Sequence, residues 1–535
     1  MTTTSVTATD VRGGPNVPGK PNPGAVPGPA GAPRVRSLLM RSEPASNDAA
    51  LAAPGARGPG PRGAAERLSV FDASFLALDH PTTPLQTGGL GIFEPGLAFT
   101  DVLEVLRARL DRIPMARRRL QEVPLGGRPV WVDDTEFDLS FHLRHAALPA
   151  PGDARQLTEF LSRLISRPLD KRRPLWELYV IEGLEGGRIG LFRKVHLAVA
   201  GSATTDLFAA LLDEHPSEQP EEQSTRWRPS EPPSSARLAI ADLRHRAARI
   251  ADASNAVGQV AAAPGRLVGT VTTAAGSLLG MAARIVRTAP ESPLNVRLSA
   301  HRRYATVRVE LKDLRRVRRA FGGAINDAIV AVVGDAVGRL LRARGHETKD
   351  LDLRVMVPVR VEPGPEDGAQ MLEAGVLRDG VVGVLAALPV MEIDPVARLY
   401  RVMGELAAMR ESRQAVAAND LVRLAGYAPP NLHALAARLA SAEQRYNLAL
   451  SNAPGPQEPR YLRGVRLIES YPFIPLAADT ALSVAVSSYA GGVFFGLVGD
   501  RAAMADLDVF AGFLRDSVAD LHGAAVAAER ARTDA

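Results

Sequence analysis

Apolar positions along this chain recur at two spacings, and the two alternate. In "FTDVLEVLRARLDRIPMARRRL" they return every three to four residues, which puts Val102, Leu103, Val105, Leu106 and Leu110 on one helical face. Pro114 ends that helix or opens a new segment, because its ring cannot continue the hydrogen-bond ladder. "DARQLTEFLSRLISRPL" predicts a second amphipathic helix. "TTDLFAALLDEH" predicts a third, with Leu207, Phe208, Leu211 and Leu212 inward and Thr204 or Thr205 as N-cap. Shorter apolar runs between them have strand character. "LGIFEPG" is stopped by Pro-Gly, and "RPVWVDD" is brief. "PLWELYVIEGL" and "RIGLFRKVHLAV" read as neighbouring strands turned at Gly186 and Gly187.

The same alternation returns further on. "YATVRVEL", "LRVMVPVRV", "GVVGVLAALPV", "LSVAVSSYA" and "GVFFGLVGD" predict strands. "LKDLRRVRRAFG", "INDAIVAVVGDAVGRLLRARG", "DPVARLYRVMGELAAMRES" and "AMADLDVFAGFLRDSVADLHGAAVA" predict helices, the second of them largely buried. The mixture is α/β in two halves. Between the halves lies a polar break, "HPSEQPEEQSTRWRPSEPPSSA", followed by Ala-rich helical material to about residue 288. The resulting division is a tail at 1–66, a first subdomain at 67–215, a linker and helical connector at 216–295, a second subdomain at 296–525 and a short tail at 526–535. The first tail is so rich in Pro, Gly and Ala that it cannot bury enough apolar surface to offset its ordering entropy, so it is expected to be disordered.

Composition narrows the chemistry. The 535 residues are 46% hydrophobic but only 5% aromatic, so the core must be aliphatic. With no cysteine, disulfides, thiolate metal sites and cysteine nucleophiles are excluded. A net charge of +5 suits a weakly basic surface that meets anionic lipid or CoA phosphates. Dense Lys/Arg runs interleaved with aromatics are missing, which argues against nucleic acid. The start of the chain has no basic region followed by an apolar run, so the expected compartment is the cytoplasm. Residues 267–283, "LVGTVTTAAGSLLGMAA", are uncharged, but Gly, Thr and Ser dilute them. They read as a buried helix, or one lying on a membrane, rather than a span. No nucleotide loop, Gly-x-Ser-x-Gly elbow or i, i+4 histidine pair is present, and no metal is expected. His142 and His145, three apart, read as structural.

Several phrases, in order, resemble the bacterial wax ester synthase/diacylglycerol acyltransferase family. They are "LSVFDASFLALDHPTTPLQTGGL", "RPLWELYVIEGL" with its Pro-Leu-Trp, "INDAIVA" with its Asn-Asp, "SNAPGP" at Ser451 to Pro456, and "YPFIPLAADTALSVAVSSYAGGVFFGLVGD". The resemblance covers about residues 66 to 525. It implies two chloramphenicol-acetyltransferase-like mixed α/β subdomains flanking a tunnel, like CoA-dependent acyltransferases and peptide-synthetase condensation domains. It also implies transfer of a fatty acyl group from acyl-CoA, as substrate and with no cofactor, to diacylglycerol or a long-chain alcohol. The protein would associate peripherally with the inner membrane or lipid inclusions.

The family motif, His-His-x-x-x-Asp-Gly, supplies the general base as its second His. Aligned without a gap, it becomes Val195-His196-Leu197-Ala198-Val199-Ala200-Gly201 here. The second His and the Gly are kept; the first His and the Asp are not. A one-residue shift would make His196 the first His and Leu197 the second. In the first register His196 is the base, which for an alcohol is worth 10²–10⁴-fold. In this superfamily the motif Asp braces the loop, and Ala200 removes it. Two outcomes fit: a slow or differently braced enzyme, or a non-catalytic homologue that binds acyl lipid or a lipid-synthesis partner.

By the same resemblance Asn326 lies at the tunnel, with Asp327 beside it. Read from the residues alone, the pair favours a helix N-terminus. Gly201, Ser451 and Asn452 complete the supporting residues. Pro174-Leu175-Trp176 reads as a strand start with a packing anchor, and His301 to Arg303 as a basic face or a contact for CoA phosphates.

Overall fold

The computed structural model describes residues 65–200, 207–216, 227–261, 289–360, 381–411 and 446–534. The expected tail to residue 64, Gly201, Thr204, Thr205 and the 267–283 segment lie outside them.

The first half runs β1 (Glu66–Arg67), α1 (Val70–Leu78), β2 (Gln86–Phe93), α2 (Phe99–Arg109), β3 (Arg118–Val123), β4 (Gly127–Asp133), β5 (Leu143–Ala147), α3 (Ala154–Ser166), β6 (Trp176–Glu182), β7 (Ile189–His196), α4 (Leu197–Ala200), α5 (Leu207–Leu211) and α6 (Ser235–Ala261). The second runs β8 (Arg302–Glu310), α7 (Leu311–Phe321), α8 (Ile325–Ala343), β9 (Leu353–Arg360), β10 (Val381–Leu388), α9 (Pro395–Glu411), β11 (Leu448–Pro454), β12 (Tyr461–Leu462), β13 (Val465–Phe473), β14 (Leu482–Tyr489), β15 (Gly492–Asp500) and α10 (Leu507–Thr533).

Most elements fall where apolar spacing places them. Helix α2 buries Val102, Val105 and Leu106, but it ends at Arg109, five residues before Pro114, and passes into two short 3₁₀ turns. The turn between β6 and β7 is longer than a two-residue hairpin. Gly183, Gly186 and Gly187 all take positive φ there, a conformation that suits residues without a Cβ. Helix α10 continues through residues 526–533.

Two six-stranded mixed sheets organise the halves. One has the order β12-β13-β2-β7-β6-β5, the other β10-β9-β11-β14-β15-β8. A small sheet, β1-β4-β3, carries α6 on its flank. Strands β12 and β13 belong by chain order to the second half, yet β13 pairs antiparallel with β2 in the first sheet. The halves are therefore sewn together by a strand, not merely packed.

A second seam joins α3 to the edge strand β8. The Arg302 and Tyr304 N–H groups, which face away from β15, donate to Ser166 Oγ at 2.8 Å and Ser162 Oγ at 2.9 Å. Each hydroxyl in turn donates to the carbonyl one turn back on α3, so the edge strand's donors are satisfied by a helix. Among the described residues no single helix is long and apolar enough to cross a membrane.

Candidate active site

Strand β7 runs apolar for most of its length and ends at His196, where α4 begins. Val195 turns into the hydrophobic core, and His196 takes the opposite face. The Pro-Leu-Trp segment fixes this strand end. The Leu175 carbonyl accepts the His196 N–H at 3.0 Å, and Trp176 pairs with Val195. Trp176 is anchored in turn by its Nε1–H, which donates to the Ala116 carbonyl at 2.8 Å. Its ring stacks on His142, whose Nδ1–H donates to the Trp176 carbonyl. His145 stacks on Phe99 and pairs with Glu182. Both histidines thus have protein partners.

The His196 residue is 2% exposed. Its Nδ1 accepts the Ala198 N–H at 3.0 Å, which caps the short α4 turn. A ring nitrogen that accepts an N–H carries no proton, so the neutral imidazole holds its proton on Nε2. Nε2 makes no hydrogen bond, but it faces the Asp79 carboxylate, Oδ2 lying 3.7 Å away.

Asp79 is the C-cap of α1, and sequence reading missed it. Its Oδ1 accepts the Leu85 N–H at 2.7 Å, and its Oδ2 pairs with Lys171 Nζ at 2.7 Å. Burial raises the carboxyl pKa, but His196, Lys171 and the Leu85 amide outweigh burial and leave it at about 2. A carboxylate at a helix C-terminus opposes the helix dipole, and that local conflict was the available hint of a tertiary role.

Around this pair the first half is held by buried polar side chains. Lys194, 0% exposed and two residues before His196 on the same face, pairs with Glu177 at 2.9 Å. It also donates to the Leu164 and Arg167 carbonyls at the C-terminal end of α3. Gln86, opposite His196 on β2, donates to the Ile165 and Arg167 carbonyls. Burial pushes Lys194 below the ordinary lysine range, against the pull of Glu177.

Asn326 and Asn452 come together. Asn452 Nδ2 donates to Asn326 Oδ1 at 3.0 Å, joining β11 to the start of α8. Asp327 occupies the third position of α8, and its Oδ2 accepts the Ala324 N–H at 2.8 Å. That reciprocal contact closes the helix start, so Asp327 carries the capping role and Asn326 does not. Ser451 sits on the other face of β11 from Asn452. Among the described residues no hydrogen bond or ion pair links His196 to the asparagine pair.

Of His301 to Arg303, read as a basic face or a contact for CoA phosphates, Arg302 turns inward. Arg302 is buried, donating to the Ser299 and Thr82 carbonyls with Asp500 at 3.5 Å. Arg303 holds the Ala505 carbonyl and Asp508. The Arg302 guanidinium is thus committed within the fold, while Arg303 keeps a partly exposed pair with Asp508. Among the described residues no three His, Asp or Glu side chains cluster as a metal site.

Residues 68–329 match the family model "Wax ester synthase/diacylglycerol acyltransferase catalytic domain", and residues 380–522 match "WS/DGAT C-terminal domain". The "Probable diacyglycerol O-acyltransferase tgs1" of Mycobacterium tuberculosis (strain ATCC 25618 / H37Rv) is 32% identical over 462 residues, covering 85% of this chain and 95% of that one. The "Probable diacyglycerol O-acyltransferase tgs3" of the same strain is 39% identical over 257 residues, covering 47% of this chain and 95% of its own. Among solved structures, the wax ester synthase/diacylglycerol acyltransferase from Marinobacter aquaeolei VT8 matches with a TM-score of 0.59 at 27% identity, covering 86% of this chain and 99% of that one.

Proposed function

The chain belongs to the wax ester synthase/diacylglycerol acyltransferase family, and we propose that it moves a fatty acyl group from acyl-CoA to diacylglycerol or a long-chain alcohol, with His196 as general base. The observation that carries the reading is the placement of His196 at the end of β7, directly before the short α4 turn, where the motif has its second His.

The chemistry needs little else. In the resting tautomer the basic lone pair belongs to Nδ1, where the Ala198 amide sits. For transfer, the acceptor hydroxyl must take that amide's place and give its proton to Nδ1 as its oxygen bonds to the thioester carbonyl carbon. The tetrahedral intermediate then collapses, the C–S bond breaks, and the imidazolium returns the proton to the CoA thiolate. No covalent acyl-enzyme is required, because the thiolate is already a good leaving group. The resemblance places Asn326 at the tunnel, and Asn452, hydrogen-bonded to it, joins it as a proposed supporting residue.

For location, we propose peripheral contact with a membrane or lipid inclusion on the cytoplasmic side. Support comes from the basic surplus and from α6, where Ile240 and Leu243 are exposed beside Arg237 and Arg244. A second reading, a non-catalytic homologue that binds acyl lipid, is favoured by one observation. The His196 ring caps α4, a task that needs no substrate.

The test is to give the purified chain labelled palmitoyl-CoA with hexadecanol or dipalmitoylglycerol. Labelled ester, matched by an equal release of CoA thiol, supports acyl transfer. Binding of palmitoyl-CoA with no ester in either mixture contradicts it and leaves the second reading.

A further inference from the structure

A buried carboxylate from another element faces the His196 ring. We propose that Asp79 supplies the negative charge that stabilises the protonated form of His196, and that Lys171 tunes its strength. The proposal rests on the reading of His196 as the base and adds two positioning residues to it.

Position 200 is alanine and offers no carboxylate. Asp79 arrives from the end of α1, 117 residues earlier in the chain than His196. Its side chain is 7% exposed, and its Oδ2 faces Nε2 at 3.7 Å. That distance is too long for a hydrogen bond to the neutral ring. When Nδ1 takes the acceptor's proton, the ring becomes a cation and Nε2–H faces a fixed anion. The contact can then shorten to a charge-assisted hydrogen bond. The gain appears only as charge develops, so it lowers the barrier without tightening ground-state binding. The layout is that of a hydroxyl–His–Asp relay with the two ring nitrogens exchanged.

The charges around the ring isolate this pair. On β7 itself Lys194 is neutralised by Glu177. From the second half, Arg302 reaches the 79–86 loop through the Thr82 carbonyl, with its charge set against Asp500. From the loop before β6, Lys171 contacts the same Asp79 oxygen that faces His196, and its own side chain is 45% exposed. Lys171 therefore competes with the imidazolium for Asp79 Oδ2.

Two substitutions should move His196 in opposite directions. Asp79→Asn keeps an acceptor for the Leu85 amide and removes the charge. Lys171→Met keeps Asp79 and removes its competing cation. The experiment is an NMR titration of full-length protein carrying isotope-labelled histidine, with His196 assigned by its loss in His196→Gln. The expected result is a lower titration midpoint in Asp79→Asn and a higher one in Lys171→Met. In ester formation, Asp79→Asn should lower kcat by roughly 10- to 100-fold with KM for palmitoyl-CoA unchanged.

A merely structural Asp79 predicts no such opposed shifts, so midpoints that stay in place in both variants overturn the proposal. Lys171→Met, altered only at a half-exposed side chain, decides the matter if Asp79→Asn does not fold. Opposed shifts in a chain whose wild type makes no ester would contradict the acyl-transfer reading while upholding the pairing.

Discussion

At the scale of single residues, the electrostatics of Asp79 have a consequence for folding as well as for chemistry. Its carboxyl is lowered from the usual 3.8 to about 2 in the folded chain. A depressed carboxylate stabilises the fold above its unfolded pKa, and that contribution disappears as pH falls through the folded value. The shift corresponds to roughly 2 kcal/mol. The stability gap between wild type and Asp79→Asn should therefore be widest above pH 4 and close between pH 4 and pH 2. Urea unfolding at a series of pH values measures it; a gap independent of pH would deny Asp79 its charged role. The place of His196 at a strand end was legible in the sequence because an apolar run stops there ahead of a helical pattern. Asp79 was not, since its partner is far away in sequence and joins it only through the fold. Asp327 shows the converse case: its helix-start position could be read from the Asn-Asp pair, and capping is what it does.

At the scale of elements, the α3–β8 seam makes a sharp prediction. Ser162 and Ser166 each satisfy a donor of an edge strand that has no other neighbour on that side. Ser162→Ala and Ser166→Ala should each cost about 1–3 kcal/mol, because a buried amide is left unpaired. The double variant should cost more than either, as read by thermal or urea unfolding; losses no larger than those of exposed serines would show that the seam carries no load. The helix and strand types were legible here, since apolar spacing differs between them. The seam was not, because two serines on an amphipathic helix look like its solvated face. The same reasoning explains Lys194 and Gln86, polar residues in strands that look outward-facing and instead hold the end of α3.

At the scale of the whole molecule, β13 decides how the halves are joined. It pairs with β2, and it crosses β15 so closely that only glycine fits at the crossing. A Cβ on Gly496 would lie 1.6 Å from the Pro472 carbonyl oxygen. Gly496→Ala should therefore force the crossing apart and destabilise the chain by at least about 3 kcal/mol, at or above the upper end of ordinary overpacking. A melting temperature close to wild type would contradict that picture. The two-half α/β architecture was legible from the repeated alternation of helix and strand patterns. The crossing was not, because each strand's pattern says that it is buried but not which sheet it joins.

The account as a whole stands on one imidazole, and the most direct measurement is ester formation from labelled palmitoyl-CoA by wild type and His196→Ala side by side, with acyl-CoA binding measured on both. The account predicts a loss of 10²-fold or more in the variant with binding retained. Equal ester formation by both proteins would contradict it.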